Sequence, residues 1–137
     1  MEDAVIVHGQ FREKDNEDLF ALFGKSGLAR ARRVLTVVTD GHGGREVADY
    51  CAKSLAVCLK HKLSALGEDQ IGEAMTQAYV EIDRSIQGWA KYVGCTALSA
   101  YFIDHFFYIA NVGDSRVVLA QAGKAQRLSI DHKPGMS

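Results

Sequence analysis

One junction constrains the fold more than any other feature of this chain. The apolar run Val34 to Thr39 leads without a break into Asp40-Gly41-His42-Gly43-Gly44, which opens into a helix-like stretch from Arg45 to Leu63. A strand that ends in an acid presents a hard oxygen donor at a defined point, and a glycine beside it lets a backbone carbonyl reach the same cation. The adjacent histidine can hold or give a proton near neutral pH. Two more glycines allow a sharp turn into a helix whose first amides point toward an anion. Taken alone, these five residues suit either a metal site or an ordinary strand-to-helix turn.

The 137 residues are 47% hydrophobic and 24% charged, which predicts one globular unit with enough apolar material for a core. No apolar run approaches the length of a membrane span, and the acidic start Met1-Glu2-Asp3 is unlike a signal peptide, so the expectation is a cytoplasmic or nuclear protein without membrane association. A formal charge of -1 argues against nucleic-acid binding, which relies on excess Lys and Arg. Cys51, Cys58 and Cys95 are odd in number and lack Cys-x-x-Cys spacing, arguing against a disulfide framework or zinc knuckle and for a reducing compartment. Cys51 and Cys58 fall seven apart on one helix face, where free cysteine behaves as a small buried hydrophobe.

Along the chain, Ala4 to Phe11 alternates as a first strand, and a charged turn leads to a second apolar run, Leu19 to Phe23, in a hairpin-like arrangement. Gly24-Lys25-Ser26 is not a phosphate-binding loop, because Leu19 stands where that motif needs its first glycine. The first helix keeps Val47, Cys51, Leu55, Cys58, Leu59 and Leu63 on one side. A second, from about Glu68 to Trp89, does so with Ile71, Met75, Ala78, Ile82, Ile86 and Trp89. Both stripes predict packing on a sheet. After Gly94 come runs rich in β-formers, Thr96 to Ile103, Phe106 to Val112, Arg116 to Gln121 and Gln126 to Ile130, read as an antiparallel meander. Strands in succession with two intervening helices predict an α+β layered domain, not a parallel βαβ fold.

Four further stretches accompany the Asp40 to Gly44 motif in order: Met1-Glu2-Asp3-Ala4, Gly94-Cys95-Thr96-Ala97, Ile109-Ala110-Asn111-Val112-Gly113-Asp114-Ser115-Arg116, and Asp131-His132-Lys133-Pro134. The set resembles the metal-dependent protein phosphatase 2C family of serine/threonine phosphatases over nearly the whole chain. The resemblance implies a layered β-sandwich flanked by antiparallel helices, with a magnesium or manganese two-metal centre at one end of the sheets. It implies that Asp40 bridges both metals, that the Gly41 carbonyl ligates one, and that Glu2 and Asp3 hold metal-bound waters. His42 corresponds to the general acid that protonates the departing serine or threonine oxygen, and Asp114 to the acid of a weaker third metal site. Thr96 matches a small polar position near the cleft, and Arg116 looks structural. Two cations about 3.5 to 4 Å apart lower the pKa of a shared water enough for hydroxide to attack phosphorus at neutral pH. Such cations prefer carboxylate and carbonyl oxygen to thiolate, in keeping with the three cysteines lying outside the motif.

The chain departs from the family pattern in three places. The phosphate-clamping arginine lies upstream of the Met-Glu-Asp stretch in the family, and further metal-binding aspartates lie beyond the Asp-His-Lys-Pro segment. Residues 1–137 are therefore expected to be the N-terminal part of a single, incomplete phosphatase 2C-like domain, poorly stable alone because open edges and an uncovered apolar face remain. Third, Gly24 to Thr39 intervene between Leu19 to Phe23 and the motif, so two runs compete for one strand position. Val34 to Thr39 is the expected winner, because a metal-ligating acid must be placed by the element directly before it. The implied function is hydrolysis of phosphoserine and phosphothreonine in protein substrates. A catalytically inactive phosphatase-like binding module is the alternative, and neither reading specifies an oligomeric state.

Overall fold

The computed structural model describes residues 2–9, 33–103 and 106–135, with the backbone alone described for residues 2–9, 33 and 34. Strand β1 (Glu2–Gly9) pairs antiparallel with β2 (Arg33–His42), and after the glycine turn comes helix α1 (Glu46–Leu66). A single 3-10 turn (Glu68–Gln70) leads into α2 (Ile71–Ile86). Strands β3 (Gly94–Ile103) and β4 (Phe106–Val112) complete a four-stranded antiparallel sheet of order β1-β2-β3-β4. A separate two-stranded ribbon joins β5 (Val118–Gln121) to β6 (Lys124–Arg127). Among the described residues the fold is α+β with antiparallel sheets and two α-helices, as expected.

Val34 to Thr39 occupies the strand position feeding the glycine turn, as part of β2, between β1 and β3. The competing run Leu19 to Phe23 and its proposed hairpin lie outside the described residues. The pleat explains the burial: Leu35, Val37 and Thr39, with Tyr101 and Ile103 across the ladder, point to one face and are buried there against the helices. From α1 come Val47, Cys51, Leu55, Leu59 and Leu63, and from α2 Ile71, Met75, Ala78 and Ile82. Each large apolar side chain fully buried in this layer contributes about 1.5–3 kcal/mol. Cys51 and Cys58 are core residues, as their spacing predicted.

Polar bonds lock the layers together. Thr39, fully buried, donates its hydroxyl to the Ala48 carbonyl at 3.0 Å, tying the first turn of α1 to β2. The Tyr79 hydroxyl of α2 lies 2.9 Å from the buried Ser99 Oγ and 3.1 Å from the Ala110 carbonyl, so α2 is pinned to both β3 and β4. Glu46 and Asp49 stand in the first turn of α1, where the helix dipole favours acids, and Gly67 closes that helix with φ 93° and an N–H to Leu63 O bond of 3.0 Å.

The second helix is shorter than its apolar stripe suggested. It ends at Ile86, and Trp89 lies beyond it in a turn, 49% exposed, its ring edge-on to Tyr50 with centroids 5.6 Å apart. Gly88 lowers the helix propensity at that point, and the Trp89 and Ala90 amides bond back to the Ile86 carbonyl to close the turn. The expected meander also divides after β4. Gly113, at φ 104°, turns the chain out of the sheet, so β5 pairs with β6 and not with β4. The run Gln126 to Ile130 is strand only to Arg127. Beyond it the Ser129 hydroxyl accepts the Val117 amide and Asp131 becomes the centre of an ion-pair cluster.

Candidate active site

The sequence-predicted residues of β1 and β2 fall at one end of the four-stranded sheet, with Asp40 and His42 on the face turned away from the helices. In the ladder Asp3 stands opposite Asp40, Glu2 opposite Gly41, Thr96 opposite Asp40 and Gly94 opposite His42. Asp40 and His42 are two apart on one strand and therefore share a face, with Thr96 beside them. Both are exposed, as an approach by an anionic ester requires. Cys95 and Gly41 belong to the opposite, helix-covered face.

Glycines give the site its shape. Gly43 adopts φ 77°, and a Cβ there would stand 2.3 Å from the Tyr92 carbonyl oxygen, so only glycine lets the turn pass under residues 92 and 93. At Gly94 a Cβ would fall 2.6 Å from His42 Nε2; the missing side chain leaves room for the imidazole across β3.

Asp114 arrives on a different element. Gly113 packs against Thr96 so closely that a Cβ would meet Thr96 Cγ2 at 2.7 Å, and Thr96 Oγ1 and Ser115 Oγ are 2.6 Å apart. The turn bearing exposed Asp114 is thereby held against the strand position next to Asp40. Asn111 anchors the turn from below, donating its amide to the Gly113 carbonyl at 3.1 Å and the Ile130 carbonyl at 2.8 Å. The His132 amide also bonds to the Gly113 carbonyl, at 2.7 Å. Sequence reasoning assigned no role to Asn111; an asparagine two residues before a glycine turn was the available signal.

Arg116 is structural, as expected, and its partner is Asp131. Arg116 Nη2 lies 2.5 Å from Asp131 Oδ2, and Arg127 pairs with the other carboxylate oxygen. The Arg116 hydrogen bond, opposed by burial and supported by Arg127, holds the Asp131 carboxyl well below its ordinary 3.8, at about 2. The cluster keeps the Asp-His-Lys segment against the β5–β6 ribbon.

The donor chemistry at the sheet end suits a hard divalent cation. Asp40 offers a carboxylate, the ladder sets two further acidic positions beside it, and the nearest thiol, Cys95, faces the other way. Among the described side chains no group of three His, Cys, Asp or Glu is assembled as a metal cluster. Asp40 and Asp114 are thus brought to one region by separate elements without forming a ready-made cage.

The comparisons with known proteins identify the class to which this helix-backed antiparallel sheet belongs. The family model for protein phosphatase 2C matches residues 1–136, and the chain belongs to that family. It is 39% identical over 102 residues to protein phosphatase 2C homolog 2 of Schizosaccharomyces pombe, covering 71% of this chain and 27% of that protein. It is 32% identical over 168 aligned positions to protein phosphatase 2C 50 of Oryza sativa subsp. japonica, covering 98% of this chain and 43% of the relative. The chain spans less than half the length of these relatives. In fold it is similar to a bacterial serine phosphatase bearing an arginine-to-alanine substitution, with TM-score 0.59, 22% identity, and coverage of 96% of this chain and 62% of the other.

Proposed function

We propose that this chain carries the N-terminal half of a metal-dependent protein serine/threonine phosphatase centre, acting on phosphoserine and phosphothreonine esters. The observation that carries the reading is the register of β1 on β2, which sets Asp3 opposite Asp40 at the sheet end. Acidic positions directly opposite in an antiparallel pair are unfavourable by themselves and are reconciled by a cation between them. Magnesium or manganese would be held by Asp40 and the Gly41 carbonyl, with Glu2 and Asp3 beside them and Asp114 serving a weaker site. Bound there, the metals would supply Lewis-acid activation of water and of the phosphoryl group.

The chain's own residues supply the rest. His42, exposed beside Asp40, would give a proton to the departing serine or threonine oxygen, which otherwise leaves as a poor alkoxide. Gly94 keeps the space the imidazole needs. The Thr96–Ser115 hydroxyl pair holds the Asp114 turn in place. Family membership supports the reaction class, and phosphorylated proteins are the corresponding substrates.

Manganese titration by calorimetry, paired with turnover of an aryl phosphate, tests the proposal. Saturable binding is expected of this half of the centre, and Asp40→Asn should abolish it together with any turnover. Binding and turnover undiminished by that substitution would refute the assignment, and neither in the folded parent chain would favour the inactive binding module.

A further inference from the structure

The three thiols divide into a pair and a single residue. Cys51, on the second turn of α1, and Cys95, the second residue of β3, are both free, and each is the other's leading electrostatic partner across the helix–sheet interface. Both line a cavity of about 330 Å³ whose walls include Leu55, Tyr79, Ile86 and Val112. Cys58, two turns further along α1, instead directs its thiol at the Ala78 carbonyl, 3.9 Å away. Two thiols lining one cavity, with the third committed elsewhere, is an arrangement the phosphatase chemistry does not use, because Cys95 faces away from Asp40 and His42.

We propose that Cys51 and Cys95 form an oxidisable dithiol, which a small hydroperoxide entering this cavity converts into one intramolecular disulfide joining α1 to β3. Cys95, half-buried, is reached before Cys51, which is 4% exposed. The Cys95 sulfur attacks the terminal peroxide oxygen, the O–O bond breaks, and the thiol proton leaves with the departing oxygen as an alcohol, or as water from hydrogen peroxide. Cys95 is left as a sulfenic acid. The Cys51 sulfur then attacks the Cys95 sulfur, the S–O bond breaks, and water departs with the Cys51 proton. In sum, two thiols and one hydroperoxide give one disulfide, one alcohol and one water; the sulfurs lose two electrons and the O–O bond gains them. The link spans elements on either side of Gly41 and His42, since Cys95 is the ladder partner of Gly41 and α1 begins where the glycine turn ends.

The test uses the full 137-residue chain, native and reduced, treated with a small molar excess of hydrogen peroxide, alkylated, and digested with trypsin without reductant. Lys53 separates Cys51 from Cys58 in such a digest, so the partners can be told apart by mass. The expected product is a cross-linked pair of peptides holding Cys51 and Cys95, with Cys58 alkylated, formed equally in Cys58→Ser and absent in Cys95→Ser. Circular dichroism identifies which variants retain the fold, and Cys58→Ser keeps the test decisive if Cys95→Ser does not. Links distributed among all three cysteines, links only between molecules, no link in the folded chain, or the same pairing in urea-unfolded chain would each overturn the proposal.

Discussion

Buried between Arg116 and Arg127, Asp131 couples the state of one carboxyl to the order of the β5–β6 ribbon. Its folded pKa of about 2 lies below the ordinary 3.8, so the ionised form is the one the fold prefers. Its contribution is therefore complete above about pH 4 and is lost as pH falls toward 2. Thermal unfolding followed from pH 5 to pH 2 should show that loss, and Asp131→Asn, with no charge to lose, should show a flatter profile over the same window. Tyr79 offers a second test. Burial raises its hydroxyl pKa to about 12, and the group is held between Ser99 and Ala110. Tyr79→Phe should cost about 1 kcal/mol in urea unfolding, the net worth of a typical internal hydrogen bond. Arg116 was legible in the sequence as structural, but its partner was not, because Asp131 is fifteen positions away and no local pattern connects them.

At the scale of elements, the strand–turn–helix unit from β2 to α1 behaves as its sequence foretells, because apolar run, acid, glycines and helix stripe all act locally. Its weak point is Gly43. Gly43→Ala combines a left-handed backbone angle with a Cβ placed against the Tyr92 carbonyl, a contact backbone cannot easily relieve. We expect a loss of roughly 1–3 kcal/mol, read by denaturant midpoint. Gly113→Ala should cost a comparable amount, because at φ 104° its Cβ would meet Thr96 Cγ2 at 2.7 Å and Thr96 Cβ at 2.8 Å, and it should displace the Asp114 turn and weaken any manganese affinity that turn confers. Helix α2 was less legible: periodicity alone cannot separate a helical apolar residue from one in the following turn, and Trp89 was counted with the stripe for that reason. The division of the meander at Gly113 was likewise hidden, since turn residues mark where a strand ends and not which neighbour the next strand will choose.

At the scale of the molecule, β4 borders the four-stranded sheet among the described residues and carries Phe106 at 66% and Phe107 at 46% exposure. Phe107 rests on Phe102, with centroids 4.8 Å apart, whereas Phe106 presents its ring to solvent. An apolar border strand of this kind promotes self-association of the isolated chain, and a charge on it opposes that. Phe106→Lys should reduce concentration-dependent association in sedimentation velocity while leaving the helical circular dichroism signal intact; an unchanged association profile would place the sticky surface elsewhere. The α+β class, the helix faces, the strand feeding Asp40-Gly41-His42 and the family are legible along the chain, because each is written in local periodicity or in a short ordered motif. It takes the assembled sheet and helices to set Asp3 opposite Asp40, to hold the Asp114 turn against Thr96 through Ser115, and to bring Cys51 and Cys95 to one cavity. Strand register and helix docking set those meetings, and both are outcomes of burying the whole sheet face at once, which no stretch of the chain encodes alone.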